Sequence, residues 1–375
     1  MRAATDRPVI NFNRGIPLRE AIPTKDLATQ TAAIIDERPD VMFQYPPMGQ
    51  YLGDPELRLQ LAALHSVDPE RIFVGTGSLQ VLDLLAGHLL GDRNRDVYVE
   101  APTYDRALQI FDRHGARVLG LPLEDDGLDI ELLHQHLRTL VPVFLYTIPD
   151  FQNPSGVTMS EAKRRALVGL SETYGFTILE DAPYRQLRYH GAALPSLAQM
   201  AGGARVVTID SLSKVLSPGL RVGYAISDAD TSLALASLAE CTYLSPVPLC
   251  QAVAARCLAA GVVASNIGWL RQILGPRRDE AVVAVRSFLG DALFAAPDGG
   301  YFISAHLSTD VDEATFLAAL RAEGIALAPG SAFYPPPATP PAGTLFIRLP
   351  FQALNPDDFA FGVELLGKVA EKLSR

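Results

Sequence analysis

The sequence contains few cysteines and no long apolar run. Cys241, Cys250 and Cys257 are the only three among 375 residues, and their spacing matches no common metal site. Such sparse use of cysteine is typical of a reducing compartment, so we expect a cytoplasmic protein. No stretch reaches the roughly 18 apolar residues that suggest a membrane span. Residues 1–8 also lack the apolar core of a signal peptide.

The sequence also has fewer positively than negatively charged residues. The chain has 32 lysines and arginines against 42 aspartates and glutamates, which gives a formal net charge of −10. This acidic balance argues against nucleic acids and anionic membranes as partners. The seven histidines are scattered, and His134 and His136 would lie on different sides of a helix. We therefore predict no catalytic metal.

What is present is an alternation of short apolar runs and helical segments. The runs predicted as strands include residues 72–74, 97–99, 143–148, 176–179 and 205–210. Alternation of this kind predicts an α/β fold, with a large domain built on a mostly parallel sheet flanked by helices. Shorter alternating segments over residues 291–375 indicate a smaller α+β domain.

The length of the chain indicates about two domains. We predict an N-terminal arm over residues 1–24, a large domain over residues 45–260, and a small domain formed by residues 25–44 and 270–375. A helix over residues 267–289 would bridge the two domains, with an interruption near Gly275 and Pro276 because proline removes a helical hydrogen bond.

Polar residues follow the predicted strands, where ligands bind in parallel sheets. Gly77 and Ser78 begin a helix, whose free N–H groups favour an anion, although a plain turn explains the motif as well. Tyr104 could stack on a flat ring or belong to the core. Asn153 could donate to a ligand or form a turn. Asp181 ends an apolar strand, where a buried carboxylate needs a cationic partner.

Lys214 lies in a polar loop between two predicted buried strands. The hydroxyls of Ser211 and Ser213 and the cation of Arg221 could hold a phosphate beside it. A neighbouring cation lowers the pKa of a lysine, which favours Schiff-base chemistry with a carbonyl. Taken alone, a solvated loop lysine is the simpler interpretation. Together with the residues above and Tyr184, however, the set matches the needs of pyridoxal phosphate.

Three segments resemble a known family: residues 149–156 (PDFQNPSG), 180–184 (EDAPY) and 211–221 (SLSKVLSPGLR). Over essentially its whole length the chain resembles the fold type I pyridoxal-phosphate aminotransferases. It is most similar to the branch that contains 2-aminoadipate and kynurenine aminotransferases and the aminotransferase-like part of MocR-type regulators. The resemblance implies pyridoxal 5'-phosphate as cofactor and a homodimer with shared active sites.

The resemblance also implies roles for the matching residues. Lys214 would hold the cofactor as an aldimine and then move a proton between substrate and cofactor. Asp181 would pair with the ring nitrogen, Tyr184 and Asn153 would bond the ring oxygen, and Tyr104 would stack on the ring. The residues implied at the phosphate are Gly77, Ser78, Leu79, Ser211, Ser213 and Arg221.

On the substrate side, the resemblance implies that Arg348 binds the α-carboxylate together with Asn153 and that Gly15 lines the pocket. Arg348 is a charge in an apolar strand, and a structural ion pair is the competing interpretation. Tyr45 would reach the phosphate in the neighbouring subunit. The chain departs from the family at Leu79, where a polar residue is common, and in its spacing between Tyr45 and position 55.

The activity implied is amino-group transfer from an L-amino acid to a 2-oxo acid, such as 2-oxoglutarate, by a ping-pong mechanism. The same scaffold also supports a racemase, a lyase, a decarboxylase or a biosynthetic cyclase. A non-catalytic effector domain of a MocR-like regulator is the third hypothesis, and the acidic charge argues against it. Arg14 and Arg19 could meet an acidic substrate side chain, and Phe12 with Tyr45 an apolar one.

Overall fold

The computed structural model describes residues 9–13, 15–46, 51–91, 94–201 and 205–373. The strands are β1 Ile10–Phe12, β2 Ile72–Gly75, β3 Asp96–Ala101, β4 Arg117–Glu124, β5 Gly127–Leu128, β6 Phe144–Thr147, β7 Thr177–Asp181, β8 Val206–Ser211, β9 Gly223–Ile226, β10 Leu293–Ala295, β11 Phe302–Ser308, β12 Ile325–Leu327 and β13 Thr344–Pro350. The α-helices are α1 Thr24–Glu37, α2 Pro39–Met42, α3 Pro55–His65, α4 Ser78–Leu89, α5 Asp105–Arg113, α6 Ile130–Leu137, α7 Glu161–Tyr174, α8 Leu197–Met200, α9 Ala229–Tyr243, α10 Pro248–Ala259, α11 Val262–Leu289, α12 Glu313–Ala322 and α13 Pro356–Leu373.

The large sheet has the strand order β2-β9-β8-β7-β6-β3-β4-β5. Its central pairs, from β8 through β7, β6 and β3 to β4, are all parallel, which confirms the predicted α/β architecture. Strand β9 lies antiparallel between β2 and β8. The connection from β8 to β9 is short and contains no long helix, so the chain returns antiparallel instead of crossing over. Lys214 lies on this connection.

Helices cover both faces of the large sheet. Apolar residues of α4, α5 and α9 pack on one face against side chains such as Phe73, Phe144 and Ile209. Helices α6, α7 and α8 pack on the other face, and α3 and α10 continue that layer beside β2 and β9. The residues at the carboxyl ends of the parallel strands therefore open onto one edge of a rigid sheet, which is where such folds bind ligands.

Local sequence signals explain several helix ends. The Asp54 carboxylate accepts a hydrogen bond from the Leu57 N–H at 2.9 Å, Pro55 occupies the first helical position of α3, and both residue types favour a helix start. Ser160 caps α7 in the same way, and Gly175 ends that helix at a φ of +86°. These caps fix where the helices begin and end relative to the strands.

The predicted interruption near Pro276 is wrong. Helix α11 runs without a break from Val262 to Leu289, with Pro276 inside it. Leu274 packs in one core and Ala281 in the next, so the helix is held by two hydrophobic clusters on either side of the proline. Arg277 further donates to the Gln352 carbonyl oxygen at 2.8 Å. Burial along the whole helix offsets the one hydrogen bond that proline removes.

The carboxy-terminal part of the chain forms its own layer. Strands β10, β11 and β13 make an antiparallel sheet that packs against α11, α12 and α13. Strand β1 pairs in parallel with β12, so residues 10–12 of the N-terminal arm are tied to this part. Helix α1 packs near α10. The division into an arm, a large domain and a small domain stays a prediction.

Within the described ranges, no single helix is long and apolar enough to cross a membrane. One pair, Pro248–Ala259 with Val262–Ala292, meets the length and composition criteria jointly and bends by 74° at its break.

Candidate active site

The Lys214 amine lies beside a pair of packed tyrosine rings. Its Nζ is 5.7 Å from the centre of the Tyr184 ring and 5.8 Å from that of Tyr301, and the Tyr301 hydroxyl donates to the Lys214 carbonyl oxygen at 3.2 Å. Burial, and then the nearby Arg221 cation, lower the pKa of Lys214 to about 8. A useful fraction of this amine is therefore neutral, and nucleophilic, near neutral pH.

Asp181 offers one unpaired oxygen to the same site. The Tyr146 hydroxyl donates to Oδ2 at 2.6 Å, while Oδ1 is buried and has no hydrogen-bond partner among the described residues. Burial raises the pKa of Asp181 to about 6, although the Tyr146 hydrogen bond and the Lys214 charge oppose the rise. A buried carboxylate oxygen without a partner is costly, which indicates that a cationic group belongs beside it.

The N-terminus of α4 forms an anion-binding corner. Gly77 precedes the helix at a φ of +87°, and a Cβ there would overlap the Arg221 guanidinium. A Cβ at Gly223 would likewise overlap the backbone nitrogen of Ser78. The two glycines therefore let the start of the helix, whose first two residues are Ser78 and Leu79, approach the arginine and β9 closely.

Two serines extend this corner from the end of β8. The Ser211 hydroxyl lies 2.8 Å from the Ser213 hydroxyl, and it accepts a hydrogen bond from the Ser213 N–H at 3.1 Å. Ser211 is buried, whereas Arg221 is exposed. The N–H groups, hydroxyls and guanidinium together make a set of donors suited to a phosphate.

Arg348 lies between two phenylalanine rings and binds Asn153. Its guanidinium carbon is 4.8 Å from the centre of the Phe302 ring and 4.5 Å from that of Phe333. Nη1 donates to Asn153 Oδ1 at 2.9 Å, and Nη2 donates to the Asn13 carbonyl oxygen at 2.7 Å. Nε is buried and has no partner in the described part of the chain. The structure shows no carboxylate paired with Arg348 among the described residues.

The remaining predicted residues lie at the walls of the site. The buried Tyr184 ring packs against the rings of Tyr301 and Phe302, with ring centres 5.4 and 5.8 Å away. Tyr104 precedes α5, and burial raises the pKa of its phenol to about 12. A Cβ at Gly15 would collide with the Phe302 ring, so the arm runs directly against the aromatic wall.

Tyr45 is not part of this group within one chain. Its side chain is 77% exposed, and it lines a separate cavity of about 500 Å³ together with residues such as Arg38 and Pro248. Arg19 is exposed at the start of the turn Arg19–Ala21. Arg14 lies outside the described residues.

Sequence reasoning missed several residues that shape the site. They are Asn13, Tyr146, Tyr301, Phe302 and Phe333. Tyr146 lies in an apolar strand, where a tyrosine is expected to belong to the hydrophobic core. The other four residues contact the site only because segments distant in the sequence meet in the fold. The one available signal was the glycine pair before Tyr301, which marks a close approach of backbones. In the described ranges, no group of three His, Cys, Asp or Glu side chains could hold a metal ion.

Pyridoxal 5'-phosphate fits the residues that are present. The orphaned Asp181 Oδ1 offers an anion to a protonated ring nitrogen, and the corner at Gly77 offers donors to a phosphate. Lys214 provides the amine that an aldehyde requires. The free Nε of Arg348 offers a donor to a substrate carboxylate. Each chemical part of the cofactor thus has a matching group.

The comparisons with known proteins agree with this chemistry. The sequence matches the family Aminotransferase class I and II over residues 7–353. It is 32% identical over 375 residues to the 2-aminoadipate transaminase of Thermus thermophilus, covering 98% of this chain and 92% of that protein. It is 32% identical over 341 residues to aromatic-amino-acid aminotransferase 1 of Thermococcus litoralis, covering 87% and 80%.

A solved structure extends the likeness to three dimensions. The α-aminoadipate aminotransferase LysN from Thermus thermophilus, complexed with N-(5'-phosphopyridoxyl)-L-leucine, superposes with a TM-score of 0.90. It is 31% identical, over 97% of this chain and 92% of that one. The fold type I architecture and the family resemblance predicted from the sequence are confirmed. The chain therefore belongs to the class I and II aminotransferases, and it is an aminotransferase that depends on pyridoxal 5'-phosphate.

Proposed function

We propose that the protein moves an amino group from an L-amino acid to a 2-oxo acid, with 2-oxoglutarate as the acceptor, by a ping-pong mechanism that uses Lys214. The observation behind this proposal is that the Lys214 amine shares one site with Oδ1 of Asp181 and Nε of Arg348, both unpartnered among the described residues, and with the Arg221 cation, and the charges of all three residues influence its pKa. A phosphate donor set, an unpaired carboxylate and a carboxylate-binding arginine thus surround a single reactive amine.

The chain's own residues hold the cofactor. Asp181 would pair with the ring nitrogen, Tyr184 and Asn153 would donate to the ring oxygen, and Tyr104 would stack on the ring. The residues that would hold the phosphate are Ser78, Leu79 and Gly77 at the helix N-terminus, with Ser211, Ser213 and Arg221. When bound, pyridoxal 5'-phosphate supplies an aldehyde that reacts with amines and a ring that withdraws electrons from the substrate Cα.

Lys214 has two tasks in this proposal. Its Nζ would hold the cofactor in the resting enzyme, and it would be free for the second task once substrate is bound. The freed Nζ takes the proton from the substrate Cα. A pKa of about 8 favours both tasks, because the amine must be neutral to attack a carbonyl and to accept a proton.

Arg348 and Asn153 orient the substrate through its α-carboxylate. Arg348 already donates to Asn153 Oδ1, which leaves Nε of Arg348 and the amide nitrogen of Asn153 as donors. Gly15 lines the substrate pocket. Amino acids and 2-oxo acids share the α-carboxylate, so the same pair can bind the donor in one half-reaction and the acceptor in the other. That shared use of one site is what a ping-pong mechanism requires.

The quaternary structure is part of the same proposal. Phe43, Tyr45 and Val247 are 68%, 77% and 54% exposed, and Tyr45 lines the cavity of about 500 Å³ described above. Phe43 and Val247 adjoin the lining residues Gln44 and Pro248 in the sequence, and a cluster of exposed apolar groups favours a protein interface. We propose a homodimer in which Tyr45 reaches the phosphate site of the partner subunit. The sparse cysteines further support a cytoplasmic location.

An amino-acid panel tests the function. The purified protein with pyridoxal 5'-phosphate is incubated with each L-amino acid and 2-oxoglutarate, and keto acid and glutamate are measured. The panel includes aromatic amino acids and 2-aminoadipate, which appear in the names of the relatives. Parallel lines in double-reciprocal plots would support a ping-pong mechanism. Racemised or decarboxylated products without keto acid would contradict transamination.

A further inference from the structure

We propose that Tyr146 is a positioning residue, which holds the Asp181 carboxylate so that Oδ1 alone faces the cofactor's ring nitrogen. This inference rests on the proposed pairing between Asp181 and that nitrogen. The Tyr146 hydroxyl donates to Asp181 Oδ2 at 2.6 Å. Both side chains are buried, at 0% and 7% exposure, so water does not compete for this bond.

The strand register brings the two residues together. Tyr146 of β6 is directly opposite Leu179 of β7, and Asp181 lies two residues beyond Leu179 on the same face. Diagonal neighbours on one face of a sheet are within reach of a long aromatic side chain. The Tyr146 ring also packs edge-on against Phe111, with ring centres 5.5 Å apart. Packing therefore holds the Tyr146 ring in place, with its hydroxyl directed at the Asp181 carboxylate.

The two oxygens of Asp181 have different surroundings. Oδ2 has the tyrosine as its donor, and Oδ1 has no partner in the described structure. A carboxylate bonded through one oxygen cannot rotate freely, so the other oxygen keeps one direction. The hydrogen bond also stabilises the charged form of Asp181, which is the form that pairs with a ring cation. Loss of the Tyr146 hydroxyl would let the Asp181 carboxylate rotate more freely and would destabilise its charged form.

Tyr98 provides a matched control. It is buried on the neighbouring strand β3, and its hydroxyl donates to the Leu140 carbonyl oxygen at 2.8 Å. Tyr98 is opposite Leu145, so it lies on the other face of the sheet from Tyr146. Tyr98→Phe removes a buried tyrosine hydrogen bond of similar length that does not reach the site.

Equilibrium dialysis of the apoprotein tests the proposal. The dissociation constant is measured for pyridoxal 5'-phosphate and for an analogue in which carbon replaces the ring nitrogen. Because hydrogen bonds to charged groups are strong, Tyr146→Phe should weaken binding of the natural cofactor about 10-fold to 100-fold. It should change binding of the analogue by less than about threefold, as should Tyr98→Phe for both compounds. In Asp181→Asn, the added Tyr146→Phe change should have no further effect.

Equal losses for cofactor and analogue in Tyr146→Phe would overturn the proposal, because the tyrosine would then serve folding alone. Unchanged binding of the natural cofactor would overturn it as well. If the unaltered protein bound neither compound, the proposed cofactor site would be refuted, and the positioning role of Tyr146 would be refuted with it.

Discussion

Arg164 donates hydrogen bonds to both oxygens of Asp150, at 2.8 and 3.3 Å, although neither side chain reaches solvent. Arg185 also donates to Asp150 at 3.3 Å. Asp150 begins the loop that contains Asn153, and Arg164 lies in α7 beneath it. This buried pair thus fixes the segment that positions the partner of Arg348.

Removing Arg164 should destabilise the whole fold. Arg164→Met leaves the Asp150 carboxylate buried with fewer donors, and breaking a buried pair in this way costs about 3–5 kcal/mol. The exposed neighbour Arg165, which pairs with Glu161 one turn away, is the control, and Arg165→Met should cost less than about 0.5 kcal/mol. Urea unfolding measures both. Similar midpoints for the two variants would contradict a structural role for the buried pair.

Gly77→Ala should weaken cofactor binding. The new Cβ would overlap the Arg221 guanidinium, and alanine is strained at a φ of +87° by about 1–3 kcal/mol. We expect about a 10-fold or larger rise in the dissociation constant of pyridoxal 5'-phosphate. Gly261→Ala adds similar backbone strain at a φ of +72°, in open space before α11. That control should lose stability and keep its affinity; loss of affinity in both variants would point to a general folding defect.

Lys214 should react with amine reagents at unusually low pH. Burial and Arg221 lower its pKa to about 8, and only the neutral amine reacts, so labelling of the apoprotein should rise with pH and reach half its maximum near pH 8. Lys163 is the internal control. Burial lowers its pKa, but hydrogen bonds to Asp126 and Glu124 outweigh this effect and raise it overall. Mass spectrometry of labelled peptides measures both lysines. Identical pH profiles would refute the lowered pKa of Lys214.

Arg348→Gln should mainly impair the use of substrate. The change removes the cation that we assign to the α-carboxylate, and the loss of charge-assisted hydrogen bonds should lower kcat/KM by about 10²-fold or more. Arg106→Gln alters an exposed arginine and should leave kcat/KM within about twofold. Steady-state kinetics with the best amino acid compares the two. Equal kcat/KM values for Arg348→Gln and the unaltered enzyme would rule out this role.

The parts of the structure that sequence could predict are those set by local patterns. The apolar runs before Asp181 and Lys214 became buried strands, and the polar residues after them lie at one edge of the sheet. The cap of α3 is a local feature, because the Asp54 side chain and the Leu57 N–H that it accepts from are only three residues apart. Local signals of this kind do not depend on where the rest of the chain lies.

What sequence could not predict depends on contacts between distant segments. Phe302 and Phe333 lie on either side of Arg348 only because β11, β13 and the turn Gly330–Phe333 meet in space. Tyr146 became a partner of Asp181 through strand register, which an apolar run does not specify. Proline disfavours a helix interior, but the packing of α11 on two hydrophobic clusters outweighs this local effect at Pro276.

The central claim is amino transfer through Lys214, and one measurement tests it most directly. The visible spectrum of the purified protein with pyridoxal 5'-phosphate is recorded while L-amino acids are added one at a time, without a 2-oxo acid, and keto acid is assayed in the same sample. We predict that a substrate bleaches the cofactor band and releases about one keto acid per site, and that Lys214→Ala does neither. A band that persists with every amino acid, or that changes without any keto acid, would contradict the account.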